Sequence, residues 1–156
     1  MLSQIERQID YTICKTQGSI YEQQAKDGYD IVIFSDLYLK SDFCRRAFDT
    51  IYSRFQIADR LECLDFILPE IGGKCRKFTT REEIFSPDVA YWIGFTYRQL
   101  YIETCISSRE LSERLSFEAM CRYYPGLHTV DEYMATGIIC NDYGFEKKAE
   151  YKELEE

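Results

Sequence analysis

The stretch IVIFSDLYL, residues 31–39, decides the fold class. Its β-branched opening has the composition of a strand. A strand needs a partner, however, and no hairpin turn or second strand-like run follows it. Asp30 stands immediately before it, where a short acceptor side chain caps a helix. The stretch therefore predicts a helix, and the rest of the chain reads the same way.

Upstream, Ser3-Gln4-Ile5-Glu6 has capping-box form, and Ile5, Ile9, Thr12, Ile13, Thr16 and Ile20 recur at helical spacing. That helix runs to Asp27-Gly28, and Gly18 within it marks either a close approach of another element or a weak point of the helix. Downstream, Ser41-Asp42 restarts the chain into FCRRAFDTIYSRFQIADRLECLDFILPEI, which predicts one long amphipathic helix. Phe48, Ile51, Tyr52, Phe55, Ala58, Leu61 or Glu62, and Asp65 or Phe66 trace its turns, and Pro69 with Gly72-Gly73 ends it. Residues 72–85, polar and carrying Lys74, Arg76 and Lys77, read as a connector between two subdomains. Ser86-Pro87-Asp88 is a strong helix start. The helix behind it puts Val89, Trp92, Ile93, Thr96, Tyr97, Leu100 and Tyr101 on one face, with Gly94 permitting a tight crossing. Ser107-Ser108-Arg109-Glu110 and Ser116 open two short helices, and Pro125-Gly126 ends the second. Thr129-Val130-Asp131-Glu132 then opens a last helix through Cys140. The expectation is an all-α fold, a compact multi-helix bundle of long N-terminal and shorter C-terminal helices. One helical domain covers residues 1–143, followed by a charged, solvated tail at 144–156.

Composition bounds the function. A chain of 156 residues with 46% apolar content can build one core. No apolar run approaches the ~20 residues of a membrane span. The polar, periodic start MLSQIERQID lacks the apolar region of a secretory signal, which points to the cytoplasm. The seven cysteines are odd in number and form no CxxC pair, so they read as reduced small hydrophobes with no metal or cofactor role. The net charge of −8 is uneven. Residues 1–78 hold 11 basic and 12 acidic groups, and residues 79–156 hold 8 and 15. Such a surface disfavours nucleic acid and suits a basic protein partner.

The chain's one histidine, His128, lies in YYPGLHTVDEYMATGII, residues 123–139. With Thr129 as helix cap, His128 would pack on Tyr133 as a staple and shape a corner. As a general acid or base it would pair with Asp131 or Glu132, but no nucleophile elbow, Gly-rich loop or HExxH pattern accompanies it. Tyr123, Tyr124, His128, Asp131 and Glu132 are therefore the candidate partner-binding residues. Lys40, Arg45 and Arg46 cluster near the helix start at Ser41, as an anion site or as charges paired with Asp42 and Asp49. The carboxylate pairs Glu82-Glu83 and Glu155-Glu156 lie in polar surroundings where nothing raises a pKa.

The strings SPDVAYWIGF (residues 86–95) and YPGLHT (124–129), within a match over residues 2–143, resemble a family of small uncharacterised bacterial proteins. Members are encoded in short gene clusters beside an ADP-ribosyltransferase-like protein and a smaller family of unknown function. The second half, residues 89–143, also resembles that smaller family. The resemblance implies a companion of the transferase-like protein, an antitoxin-like interaction module that neutralises it, and no residue of a transferase site can be matched here. Two alternatives remain at this level. One is a hydrolase using His128. The other is a DNA-binding autoregulator built on helices around residues 107–124, although Arg109, Arg114 and Arg122 there are balanced by Glu110, Glu113 and Glu118.

Overall fold

A computed structural model describes residues 4–78 and 85–148. The Ser3 cap, Glu82-Glu83 and Glu155-Glu156 lie outside the described residues. The described residues include eight α-helices: α1 (Gln4–Lys26), α2 (Ile31–Leu39), α3 (Asp42–Ala47), α4 (Arg60–Ile71), α5 (Pro87–Thr104), α6 (Ser108–Arg114), α7 (Phe117–Leu127) and α8 (Glu132–Tyr143). The fold is an all-α helical bundle.

Residues 31–39 are helical because Asp30 accepts from Val32 N at 3.1 Å and Ile33 N at 3.3 Å. Helical spacing brings Phe34 and Tyr38 into a stack with ring centres 5.7 Å apart, and Tyr21 of α1 meets both rings edge-on. A strand would have sent Phe34 and Tyr38 to the same face too far apart to stack on each other.

α1 and α5 form the central pair. Gly18 faces Tyr91, Gln17 donates to the Gly94 carbonyl at 2.8 Å, and Cys14 donates to Gln99 at 3.4 Å. The partner numbers fall along α1 as they rise along α5, so the helices run antiparallel. Both glycines are required by the approach: a Cβ at Gly18 would lie 2.9 Å from the Tyr91 carbonyl oxygen, and one at Gly94 would lie 2.6 Å from Tyr21 Cγ. Every α5 residue from 93 to 100 is buried, so this helix is the centre of the molecule and not a one-faced amphipath.

The expected long helix over residues 43–71 is broken. α3 stops at Ala47, a single 3-10 turn spans Arg54–Ile57, and α4 begins only at Arg60. The cause is side chains that offer the backbone other partners. Ser53 and Gln56 cap that turn reciprocally, Ser53 Oγ donates to the Ala47 carbonyl at 2.7 Å, and Asp59 accepts from Leu61 N at 2.7 Å. Pro69 lies inside α4, which ends at Ile71 with Gly72 as its cap. Likewise Pro125-Gly126 does not end α7, which continues to Leu127. Residues 76–78, from the expected connector, are hydrogen-bonded to residues 28–30: Asp30 N donates to the Arg76 carbonyl at 2.7 Å, and Phe78 N to the Gly28 carbonyl at 2.8 Å.

The first residues of the expected solvated tail are docked. Phe145 is buried beneath Arg114, Lys147 Nζ lies 2.8 Å from the buried carboxylate of Glu103, and Lys148 N donates to the Glu103 carbonyl. No helix among the described residues is long and apolar enough to cross a membrane.

Candidate partner-binding surface

The surface is set from inside, by Arg98. This arginine is 1% exposed at the middle of α5. Its guanidinium donates to Gln17 Oε1 at 3.0 and 2.8 Å, to Asp49 Oδ1 at 2.7 Å, to the Phe48 carbonyl at 3.2 Å, and to Ser108 Oγ at 2.9 Å. It also reaches Cys44 Sγ at 3.3 Å. Asp49 accepts in addition from Ser108 N at 2.7 Å and Ser108 Oγ at 2.6 Å. A buried charge persists only when paired and hydrogen-bonded, and here every arm of the fork is used.

Anchoring residues 48 and 49 to this centre turns the following chain outward. Residues 51–66 then present Ile51 at 81% exposure, Tyr52 at 69%, Ile57 at 71%, Leu61 at 57% and Phe66 at 50%. Arg54 lies over the rings of Phe55 and Phe66 and pairs with Glu62, which stiffens the stretch. A cleft of about 260 Å³ is lined by Ile51 and Tyr52 with Ile9, Ile13 and Ile102, and by the acids Glu6 and Asp10. A second, of about 470 Å³, is lined by Phe43, Phe55 and Phe66 together with the charged Asp42, Arg46, Arg54 and Glu70. The sequence pattern placed these apolar residues on successive turns of one helix. The signal against that reading was the cap-type residues Asp49, Ser53 and Asp59 inside the stretch.

The residues around His128 are partly brought together. His128 is the C-terminal cap of α7, not the residue before a cap at Thr129, because the true cap of α8 is Asp131, which accepts from Tyr133 N at 2.8 Å and Met134 N at 3.3 Å. The staple on Tyr133 gives way to a stack on Tyr124 at 4.2 Å, and Nδ1 of His128 sits 2.7 Å from the Tyr124 carbonyl. Tyr133 receives Arg7 instead. Tyr124 also meets Trp92 edge-on at 5.8 Å. Tyr123 donates to Asp142 at 2.6 Å; burial first, and this bond second, push its phenol up. His128 and Glu132 line one small cleft of about 150 Å³ with Trp92, while Asp131 is committed to its cap.

Lys40 pairs with Asp36 at 3.0 Å and Arg45 with Asp42 at 3.5 Å. Asp49, expected to serve this cluster, belongs to Arg98. The amides at the start of α3 are already occupied, since Glu70 accepts from Asp42 N at 2.7 Å and Phe43 N at 3.1 Å. Among the described residues, no group of three or more His, Cys, Asp or Glu side chains is placed to hold a metal ion. Cys14, Cys44, Cys63 and Cys140 are buried; burial pushes the Cys63 thiol up to about 12, and that of Cys140 up to about 11 despite the opposing charge of Lys147.

No family model, no curated protein and no solved structure matches the chain.

Proposed function

We propose that this chain is a protein-interaction module whose contact surface is the ridge at residues 51–66. The supporting observation is the exposure of five large apolar side chains, each half or more in solvent, on one short stretch. Full burial of such a side chain contributes roughly 1.5–3 kcal/mol, which a partner covering the ridge recovers. Large exposed apolar patches flanked by clefts are where protein partners dock. The partner we propose is the ADP-ribosyltransferase-like protein encoded beside the family that this sequence resembles, held inactive in the manner of an antitoxin. The net charge of −8 supports a basic surface on that partner.

The test is co-expression with the transferase-like neighbour, scoring growth and co-purification. Rescue with a stable complex is expected. The double variant Tyr52→Ser/Ile57→Asp, at exposed positions that leave the core intact, should lower affinity at least about tenfold. Unchanged binding by this variant moves the interface elsewhere. A neighbour that is harmless alone removes the antitoxin reading.

A further inference from the structure

The cleft beside His128 has a composition that its position at a helix corner does not require. Its walls are the rings of Tyr11, Tyr91, Trp92 and Phe95. Tyr11 and Phe95 meet at 5.4 Å and 70°, and Tyr91 lies 6.2 Å from Phe95 at 31°, so the rings stand at several angles around the space instead of lying in one layer. Burial, the largest cause, pushes the Tyr91 phenol up to about 12, so that ring stays neutral under ordinary conditions. The floor is polar and nine-tenths or more buried: Thr96, Gln99 and Thr136.

The lining of this space includes one carboxylate. Glu132 lines it, and its carboxylate has no ion pair or hydrogen-bond partner among the described residues. Behind the floor, Gln99 and Thr136 both donate to the buried carboxylate of Glu103, whose charge Lys147 already pairs at 2.8 Å. Tyr11 already carries the ammonium of Lys15 at 5.5 Å from its ring centre, showing that a ring of this cleft accepts a cation.

Aromatic faces carry negative quadrupoles and attract ammonium groups, most strongly where water is excluded. A carboxylate at the same place adds charge complementarity. We infer that this cleft binds an organic ammonium head group, seated among Tyr91, Trp92 and Phe95 with its charge toward Glu132. The volume of about 150 Å³ is below that of a whole small-molecule site and suits one head group. The ammonium can belong to a free quaternary amine or to a lysine side chain. The inference does not depend on the ridge or on the identity of any partner.

Trp92 is the chain's one tryptophan and lies in the wall, so the intact protein carries its own reporter. Its fluorescence would be followed while choline chloride, N-acetyl-lysine methylamide, the neutral carbon isostere 3,3-dimethylbutan-1-ol, or sodium chloride is added. Choline or the lysine derivative is expected to give a saturable change, and whichever binds more tightly identifies the source of the ammonium. The neutral isostere should bind about tenfold more weakly than choline. Glu132→Gln and Tyr11→Leu, each verified as folded by circular dichroism, should each weaken the ammonium severalfold. Equal affinity for choline and its neutral isostere would overturn the inference, because the cleft would then be merely apolar. A response matched by sodium chloride, or no saturable change with either amine, would overturn it as well.

Discussion

Replacing Arg98 with methionine tests whether the polar centre organises the molecule. Methionine refills the volume of the stem and removes only the guanidinium. Removing one partner of a buried ion pair costs about 3–5 kcal/mol. Two features of this site place the loss at the lower end. Asp49 keeps both of its bonds from Ser108, at 2.7 and 2.6 Å, so its carboxylate is not orphaned. Gln17 Oε1 keeps the hydroxyl of Tyr38 at 2.8 Å. The Phe48 carbonyl loses the bond from Arg98. The expected loss is therefore about 3 kcal/mol. With a urea m-value of about 2 kcal/mol/M, the midpoint of unfolding drops by about 1.5 M, read by far-UV circular dichroism. The double variant Arg98→Met/Asp49→Asn separates charge from shape. Asparagine still accepts from Ser108 N but leaves no buried charge, so the double variant should regain about 1–2 kcal/mol relative to additivity. A midpoint drop below about 0.5 M, or strict additivity in the double variant, would refute the view that Arg98 and Asp49 are coupled at the core.

Three further substitutions test particular backbone positions. Gly94→Ala drives a Cβ to 2.6 Å from Tyr21 Cγ, in a core with no room to move, and should cost about 2–3 kcal/mol and lower Tm by about 6 °C. Gly126→Ala should do the reverse: the residue is inside α7 with open space where the Cβ would go, so helix propensity adds about 0.5–1 kcal/mol and raises Tm. A lowered Tm would mean that α7 ends at Pro125 after all. Cys105 is the C-cap of α5 at φ 61°, a left-handed conformation that glycine adopts without penalty. Cys105→Gly should therefore stabilise by about 0.5–1 kcal/mol in urea titration, and a loss of stability would remove the strain argument.

Caps and close approaches were legible because their causes lie within a few residues. Asp30, Ser41, Ser107 and Ser116 each bond an amide two or three positions away, and Gly18 and Gly94 interrupt stripes that otherwise favour larger side chains. The break after Ala47 was not legible in the same way. Asp49 leaves the helical path for Arg98, 49 residues further on, and a 3.6-residue period carries no information about that partner. The polar core was hidden for a related reason. Gln17, Arg98 and Glu103 sit among apolar neighbours in long helices, and only their pairing across helices makes their burial affordable. The corner at His128 was misplaced by one cap. Thr129 and Asp131 both suit the N-cap, and the acid that bonds two amides prevailed over the threonine two residues earlier. Of the candidate residues there, the cleft gathers His128 and Glu132, whereas Trp92, Tyr91 and Tyr11 come from helices remote in sequence.

The buried arginine and the exposed ridge are consequences of one constraint. Residues 48 and 49 bond Arg98 where the chain leaves the helix, and the stretch that follows exposes Ile51, Tyr52 and Ile57 while burying Gln56. The ridge is also held in place after it turns out, by the reciprocal Ser53 and Gln56 cap, by Gln56 Nε2 on the Thr50 carbonyl at 3.2 Å, and by Arg54 across Phe55 and Phe66. A contact surface ordered before its partner arrives loses little conformational freedom on binding, so more of the apolar burial becomes affinity. Loosening the centre should then weaken binding without touching an interface residue. Arg98→Met protein, kept folded well below its urea midpoint, should bind the partner more weakly than wild type while every ridge side chain is unchanged, and equal affinity would show that the ridge holds its shape independently of the centre.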